Sequence, residues 1–192
     1  MKPLPIALLA GLVLAGCSQT SPPATASKAS KPSLTAAQLQ ALQSNETLAS
    51  YDGYGPVHFG MDDPTFLDAW KATLTGTDDP TGICSLIRPK WVHEIADFDF
   101  MFDHGQFVRY DIGTPKQTAP GGGKVGMTVA QIQALYGAQL ELRPHKYLPG
   151  AQYLRLADGK GHVLLFETGT DGKVNRWRVG VPPQIDNEDG CE

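Results

Sequence analysis

A membrane-spanning run is missing from this sequence: its leading apolar stretch, Leu4 to Leu14, is much shorter than the roughly 20 residues a spanning helix needs. Basic charge is not in excess either. Lys and Arg number 16 against 20 Asp and Glu, a net charge of −4, and loss of the first 16 residues, whose only charged side chain is Lys2, takes it to −5. An acidic chain argues against nucleic-acid roles and gives no support for binding anionic lipid head groups through a basic face. Catalytic signatures fail one after another. Gly121-Gly-Gly-Lys124 lacks the spacing, and the Ser or Thr after Lys, of a phosphate loop, and reads as a hinge. His93-Glu94 has no second histidine four residues after the first, there is no Gly-x-Ser-x-Gly, and Ser85 has no evident base. The five histidines, His58, His93, His104, His145 and His162, stand singly. Asp97, Asp99 and Asp103 could approach a calcium ion from one strand face, but strand spacing does not wrap ligands round an ion, so they read as the solvated face of a strand. The expectation is a chain without catalytic residues, metal or cofactor.

What is present begins at the N-terminus. After Lys2 and the apolar run comes Leu14-Ala15-Gly16-Cys17. This resembles a bacterial lipoprotein signal with its lipobox, which implies cleavage before Cys17 and lipidation of its sulfur. Ser18, where an inner-membrane retention signal would place Asp, points to the periplasmic face of the outer membrane. More than one acyl chain makes such an anchor stable, so contact with the membrane is expected through the lipid alone. With Cys17 lipidated, Cys84 and Cys191 remain as a pair in an oxidising compartment and are expected to form one disulfide; a catalytic thiol at Cys84 is the alternative. The sequence reads as a signal over 1–16, a lipidated cysteine and tether over 17–33 without large apolar residues, and a short helix within 34–50 that starts at the capping form Thr35-Ala-Ala-Gln38.

The rest divides into two halves, 51–118 and 119–192. Tyr54-Gly-Pro-Val-His-Phe-Gly-Met61 returns in degraded form as Gly121-Gly-Gly-Lys-Val-Gly-Met127, and a capped helix follows each copy, at Asp62-Asp63-Pro64 and at Thr128 to Gln131. At an offset of 66, Gly60, Met61, Phe66 and Trp70 map onto Gly126, Met127, Ile132 and Tyr136. At an offset of 67, Gly105, Arg109, Tyr110, Ile112 and Gly113 map onto Gly172, Arg176, Trp177, Val179 and Gly180. Phe98, Phe100 and Phe102 alternate with Asp97, Asp99 and Met101, as in a half-buried strand, and Gln106 to Ile112 returns after a turn at Asp103-His-Gly105. In the second half, strands are expected over Gln152 to Leu156, His162 to Glu167 and Lys173 to Val179. The fold class is therefore α+β: two tandem repeats, each a short helix plus an antiparallel meander, forming one curved sheet with helices on one face and the other face open.

Turn-Gly-Met, short helix and meander resemble the SmpA/OmlA (BamE-like) outer-membrane lipoproteins and, doubled and with a disulfide, the two-repeat β-lactamase inhibitor protein. Similar proteobacterial lipoproteins with Tyr-Asp-Gly-Tyr-Gly-Pro early and Arg-Val-Gly-Val-Pro-Pro late carry the loose label lectin. The anchor, the tether, the duplicated fold and the lack of catalytic groups lead to an expectation of binding rather than catalysis. Tyr110 and Trp177, with Trp91 and Tyr153 and the neighbouring Arg109 and Arg176, read as a Tyr/Trp/Arg surface if they lie on the open face, and as core if they do not. The expected partner is a periplasmic or cell-envelope protein, bound as an inhibitor, immunity factor or assembly accessory; cell-wall glycan or lipopolysaccharide is the alternative.

Overall fold

Strand periodicity and two capped helices set the architecture of this computed structural model, which describes residues 48–78, 82–188 and 190–191. Cys17, the tether and the helix expected from Thr35 lie outside the described residues. Of 34–50 only the end is described, and there Ala49 bridges Tyr54 as extended chain. A small hairpin, β1 (Gly53–Tyr54) and β2 (Val57–His58), precedes α1 (Asp63–Trp70). Asp62 caps α1 by accepting from the Thr65 N–H at 3.0 Å, and Pro64 sits in the first turn, where its missing donor costs nothing. Then come β3 (Leu74–Asp78), β4 (Cys84–Pro89), β5 (Phe98–Asp103) and β6 (Gln106–Ile112). The second helix, α2 (Val129–Tyr136), opens on a complete capping box between Thr128 and Gln131 and leads to β7 (Glu141–Pro144), β8 (Gln152–Ala157), β9 (Val163–Thr168) and β10 (Val174–Gly180). Among the described residues no helix is long and apolar enough to cross a membrane.

Eight strands form one antiparallel sheet in the order β3-β4-β5-β6-β10-β9-β8-β7, so the fold is α+β and mostly sheet. Strands β3, β4 and β7 are absent from the sequence expectation, because Leu74-Thr-Gly-Thr-Asp78 and Glu141-Leu-Arg-Pro144 are edge sequences without apolar alternation. The turn before each helix is clamped to a strand start in the same way. Gly60 N–H donates to Phe107 C=O at 2.8 Å and Phe107 N–H to Met61 C=O at 2.9 Å; Gly126 and Val174, then Val174 and Met127, repeat this at 2.7 and 2.8 Å.

Pleating sends Phe98, Phe100 and Phe102 toward the helices, where Phe66 of α1 meets Phe100, Phe102 and Phe107 edge-on at 4.8–5.1 Å. The β5–β6 register shifts between Met101 and Phe102, which lets Phe107 and Tyr110, three residues apart, both reach this core. A like shift in β10 does the same for Val174 and Trp177.

The opposite face is not left open, contrary to expectation. The C-terminal segment crosses it as a 3-10 turn, Gln184–Asp186, burying Ile185, and Cys191 is joined to Cys84 of β4 at a Cα–Cα distance of 5.4 Å. The acidic tail is thus fastened to the sheet by a disulfide.

Candidate binding surface

The six residues expected to form one binding platform occupy three separate environments. Tyr110 and Trp177 have no exposed surface and lie edge-on at 6.0 Å beneath the helices, so neither is available to a partner. The reason is register: the shifts in β6 and β10 turn the aromatics to the helix side and the arginines before them to the other. Tyr110 Oη completes its environment internally, donating to Ser50 C=O at 2.7 Å. Arg109, Arg176 and Tyr153 lie on the opposite face under or beside the C-terminal segment, and Arg109 and Tyr153 are buried. Trp91 alone is exposed, at 61%.

The opposite face is a buried layer of charge. Arg109 Nε donates to Asp111 Oδ2 at 2.6 Å, and its Nη1 donates to the carbonyls of Gln184 and Asn187 at 2.8 and 2.7 Å. Arg178 Nε donates to Ile185 C=O at 2.9 Å and its Nη1 to Glu167 Oε2 at 3.1 Å, while Arg176 Nη2 donates to Asp99 Oδ2 at 3.1 Å. Two of the three guanidinium groups therefore hold the C-terminal segment down. Asp99, expected on a solvated face, is 1% exposed and stands directly opposite Asp111 in the β5–β6 register. Burial, and then the charge of Asp111, push its carboxyl up to about 8 despite Arg176 and Arg109. Burial also works against ionised Asp111, but Arg109, Arg176 and Arg178 outweigh it and hold that carboxyl below its ordinary value.

A pH dependence follows. The folded chain keeps the Asp99 proton that the unfolded chain releases above about 4, so this group makes stability fall as pH rises from about 4 toward 8. Asp111 acts in the opposite sense, and its contribution is lost only as pH falls below about 4. Urea midpoints followed across pH 5 to 8 are expected to decline for the wild type and to flatten for Asp99→Asn; parallel curves would remove Asp99 as the cause.

Beside this layer His145 and Glu167 converge with Tyr153. His145 Nδ1 accepts from the Tyr147 and Leu148 N–H groups at 3.1 and 3.2 Å, which places the ring hydrogen on Nε2, 3.0 Å from Tyr153 Oη and 3.1 Å from Glu167 Oε1. Both ring nitrogens are engaged by the fold itself, and Tyr153 stacks on the ring at 4.4 Å. Burial, then Glu188, push the Tyr153 hydroxyl well up from its ordinary value.

Among the described residues, one accessible feature is a cleft of about 390 Å³ beside the C-terminal end of α1. Trp91 stacks on Trp70 at 6.1 Å with ring planes 18° apart, and Trp70, Tyr54 and Phe98 continue inward as an aromatic wall. Trp70 Nε1 is buried without a hydrogen-bond partner among the described residues. Burial pushes the Tyr54 hydroxyl up to about 12, partly offset by a hydrogen bond with Gln117. His93, Asp97 and Gln117 supply polar groups among the lining residues. Sequence reasoning singled out Trp91 but not Trp70 or Tyr54, which read as repeat landmarks; it also passed over Asp111 and Arg178, although the offset of 67 aligns those two as it does Arg109 with Arg176.

No protein-family model matches this chain, and no curated protein matches it. Among solved structures, the uncharacterized protein YfeY of Escherichia coli aligns with a TM-score of 0.46 and 13% identity, over 69% of this chain and 98% of its own. An extracellular SCP-domain protein of Bacillus anthracis str. Ames aligns with a TM-score of 0.39 and 10% identity, over 64% of this chain and 44% of its own. At these scores any functional reading rests on the site itself.

Proposed function

We propose that this chain is a non-catalytic lipoprotein, anchored through Cys17 on the periplasmic face of the outer membrane, whose folded part binds a protein partner at the Trp91 cleft, as an inhibitor, immunity factor or assembly accessory of the envelope. The observation that carries the binding role is the exposed indole of Trp91, stacked on Trp70 at the mouth of an aromatic cleft. Exposed Trp over a preformed apolar hollow is a common anchor in protein interfaces. The lipobox supports the anchor, and an oxidising compartment suits the Cys84–Cys191 bond.

The folded part is, on this reading, a tandem repeat of the BamE-like kind. Support comes from the sheet order, in which the last strand of each half meets the other at the centre, and from the paired Gly-Met clamps. Asp111 and Arg178, equivalent at the offset of 67, stand opposite one another where β6 pairs with β10. Identical residues there would face their own charge.

The test is capture from envelope extracts by the full-length chain. Trp91→Ala is expected to lose the captured partner at least tenfold while costing stability about 1 kcal/mol or less, since its ring is largely in solvent. Capture unchanged by Trp91→Ala sinks the cleft as the binding site. A second reading, a glycan binder, is favoured by the polar groups of His93, Asp97 and Gln117 beside an indole face. Co-sedimentation with purified sacculi, abolished by Trp91→Ala, would select it.

A further inference from the structure

The two edges of the sheet are built differently. Edge strand β7 carries Glu141 and Arg143, joined by two hydrogen bonds of 2.8 and 2.9 Å, and ends on Pro144, which has no N–H to offer. Charge and proline are how edge strands repel a further strand. Edge strand β3 carries neither device over Leu74-Thr-Gly-Thr, its charge coming only at its end, Asp78, and among the described residues it is bonded to β4 alone. Gly76 is dictated there by the Leu86 carbonyl, which a Cβ at this position would meet. It stands in register with Ile87, whose side chain packs against the core on the helix side, so at this position, two residues past Leu74, the strand has no side chain to fill that side. The result is a hollow of about 320 Å³ between α1 and the edge, floored by Phe66, Phe102 and Ile87 and walled by Leu67, which is 54% exposed.

From this we infer that the β3 edge is a strand-addition site: an extended segment of a partner protein pairs its backbone with β3 and places an apolar side chain into the hollow against Leu67 and Ile87. Unpaired main-chain N–H and C=O groups supply affinity, and a pocket that accepts alternate side chains supplies selectivity. A second copy of this chain fits less well. Its own β3 brings Gly76, which has no side chain, and Leu74, which packs against its own core. The occupant is therefore a foreign segment with apolar residues at alternate positions. This inference rests on the binding-protein reading but not on the Trp91 cleft.

Panning a short random-peptide phage library against the full-length chain tests it. Peptides with alternating apolar residues are expected to be enriched, to slow amide exchange in Leu74–Asp78 and not in Glu141–Pro144, and to bind Leu67→Lys at least about tenfold more weakly. N-methylation of alternate backbone nitrogens is expected to abolish binding when it falls on the edge facing β3 and to be tolerated on the other. Trp91→Ala is expected to leave this binding unchanged, which separates failure here from failure of the cleft. The inference is overturned by enrichment no greater than on Leu67→Lys, by equal tolerance of both methylation patterns, by loss of binding in Trp91→Ala, or by a dimer that protects β3 without peptide.

Discussion

Asp111→Ala is expected to cost about 3–5 kcal/mol of folding stability, measured as the shift in urea denaturation at neutral pH. Asp111 has no exposed surface and lies 2.6 Å from Arg109 Nε, 3.4 Å from Arg176 Nε and across the strand pair from Arg178. Its removal leaves three guanidinium groups in one layer with Asp99 and Glu167 as the remaining acidic side chains in contact with them. Breaking a buried pair at one partner is costly because the other charge stays desolvated, whereas replacing both partners by apolar groups of similar volume costs far less. Arg109→Met combined with Asp111→Leu is therefore expected to recover part of the loss but not all, since the Gln184 and Asn187 carbonyls lose their donor. Asp99 should respond too. With its like-charged neighbour gone and the arginines retained, its carboxyl falls from about 8 toward the ordinary range, and the decline in stability across neutral pH shrinks. A loss below about 1 kcal/mol for Asp111→Ala would mean that water reaches this layer and screens it.

The same residues mark how far the sequence could be read. Phe98, Phe100 and Phe102 advertise β5 because a strand packed on helices needs apolar side chains at every second position, and Asp62 and Thr128 advertise the helix starts because their side chains cap them. Cys84 and Cys191 could be paired by elimination. Edge strands β3 and β7 gave no such signal, since little of their surface has to be apolar. Alternation also misleads in β6 and β10, where an extra residue in the register sends Arg109 and Tyr110 to opposite faces from those of a regular strand begun at Phe107. Asp99 read as a solvated residue because period-2 logic assumes the second face is wet; here Ile185 and the disulfide-held tail cover part of it, and the guanidinium bonded to Asp99, that of Arg176, comes from a strand 77 residues away. The Trp91 cleft was half legible. An exposed Trp is visible in the sequence only as a Trp, and its stacking on Trp70 depends on where α1 ends.

Trp177→Ala is expected to destabilise the fold by about 3–5 kcal/mol, in contrast to the small cost of Trp91→Ala. Its side chain is wholly buried at the centre of the sheet, edge-on to Tyr110 at 6.0 Å and paired across the strands with Ile112. No helix or loop can collapse into the hole without moving the β6–β10 junction that joins the two halves of the sheet. Trp177→Phe is expected to cost markedly less than alanine. It keeps much of the packing and also removes an indole N–H that is buried without a partner among the described residues, and such an orphan donor itself costs about 1–3 kcal/mol. The decisive comparison is thermal unfolding of the two variants alongside partner capture. Both should bind as the wild type does below their melting temperatures, because Trp177 never meets the surface. A folded Trp177→Phe protein that no longer captures its partner would return this residue to the binding site and remove the distinction drawn between the core tryptophan and the exposed one.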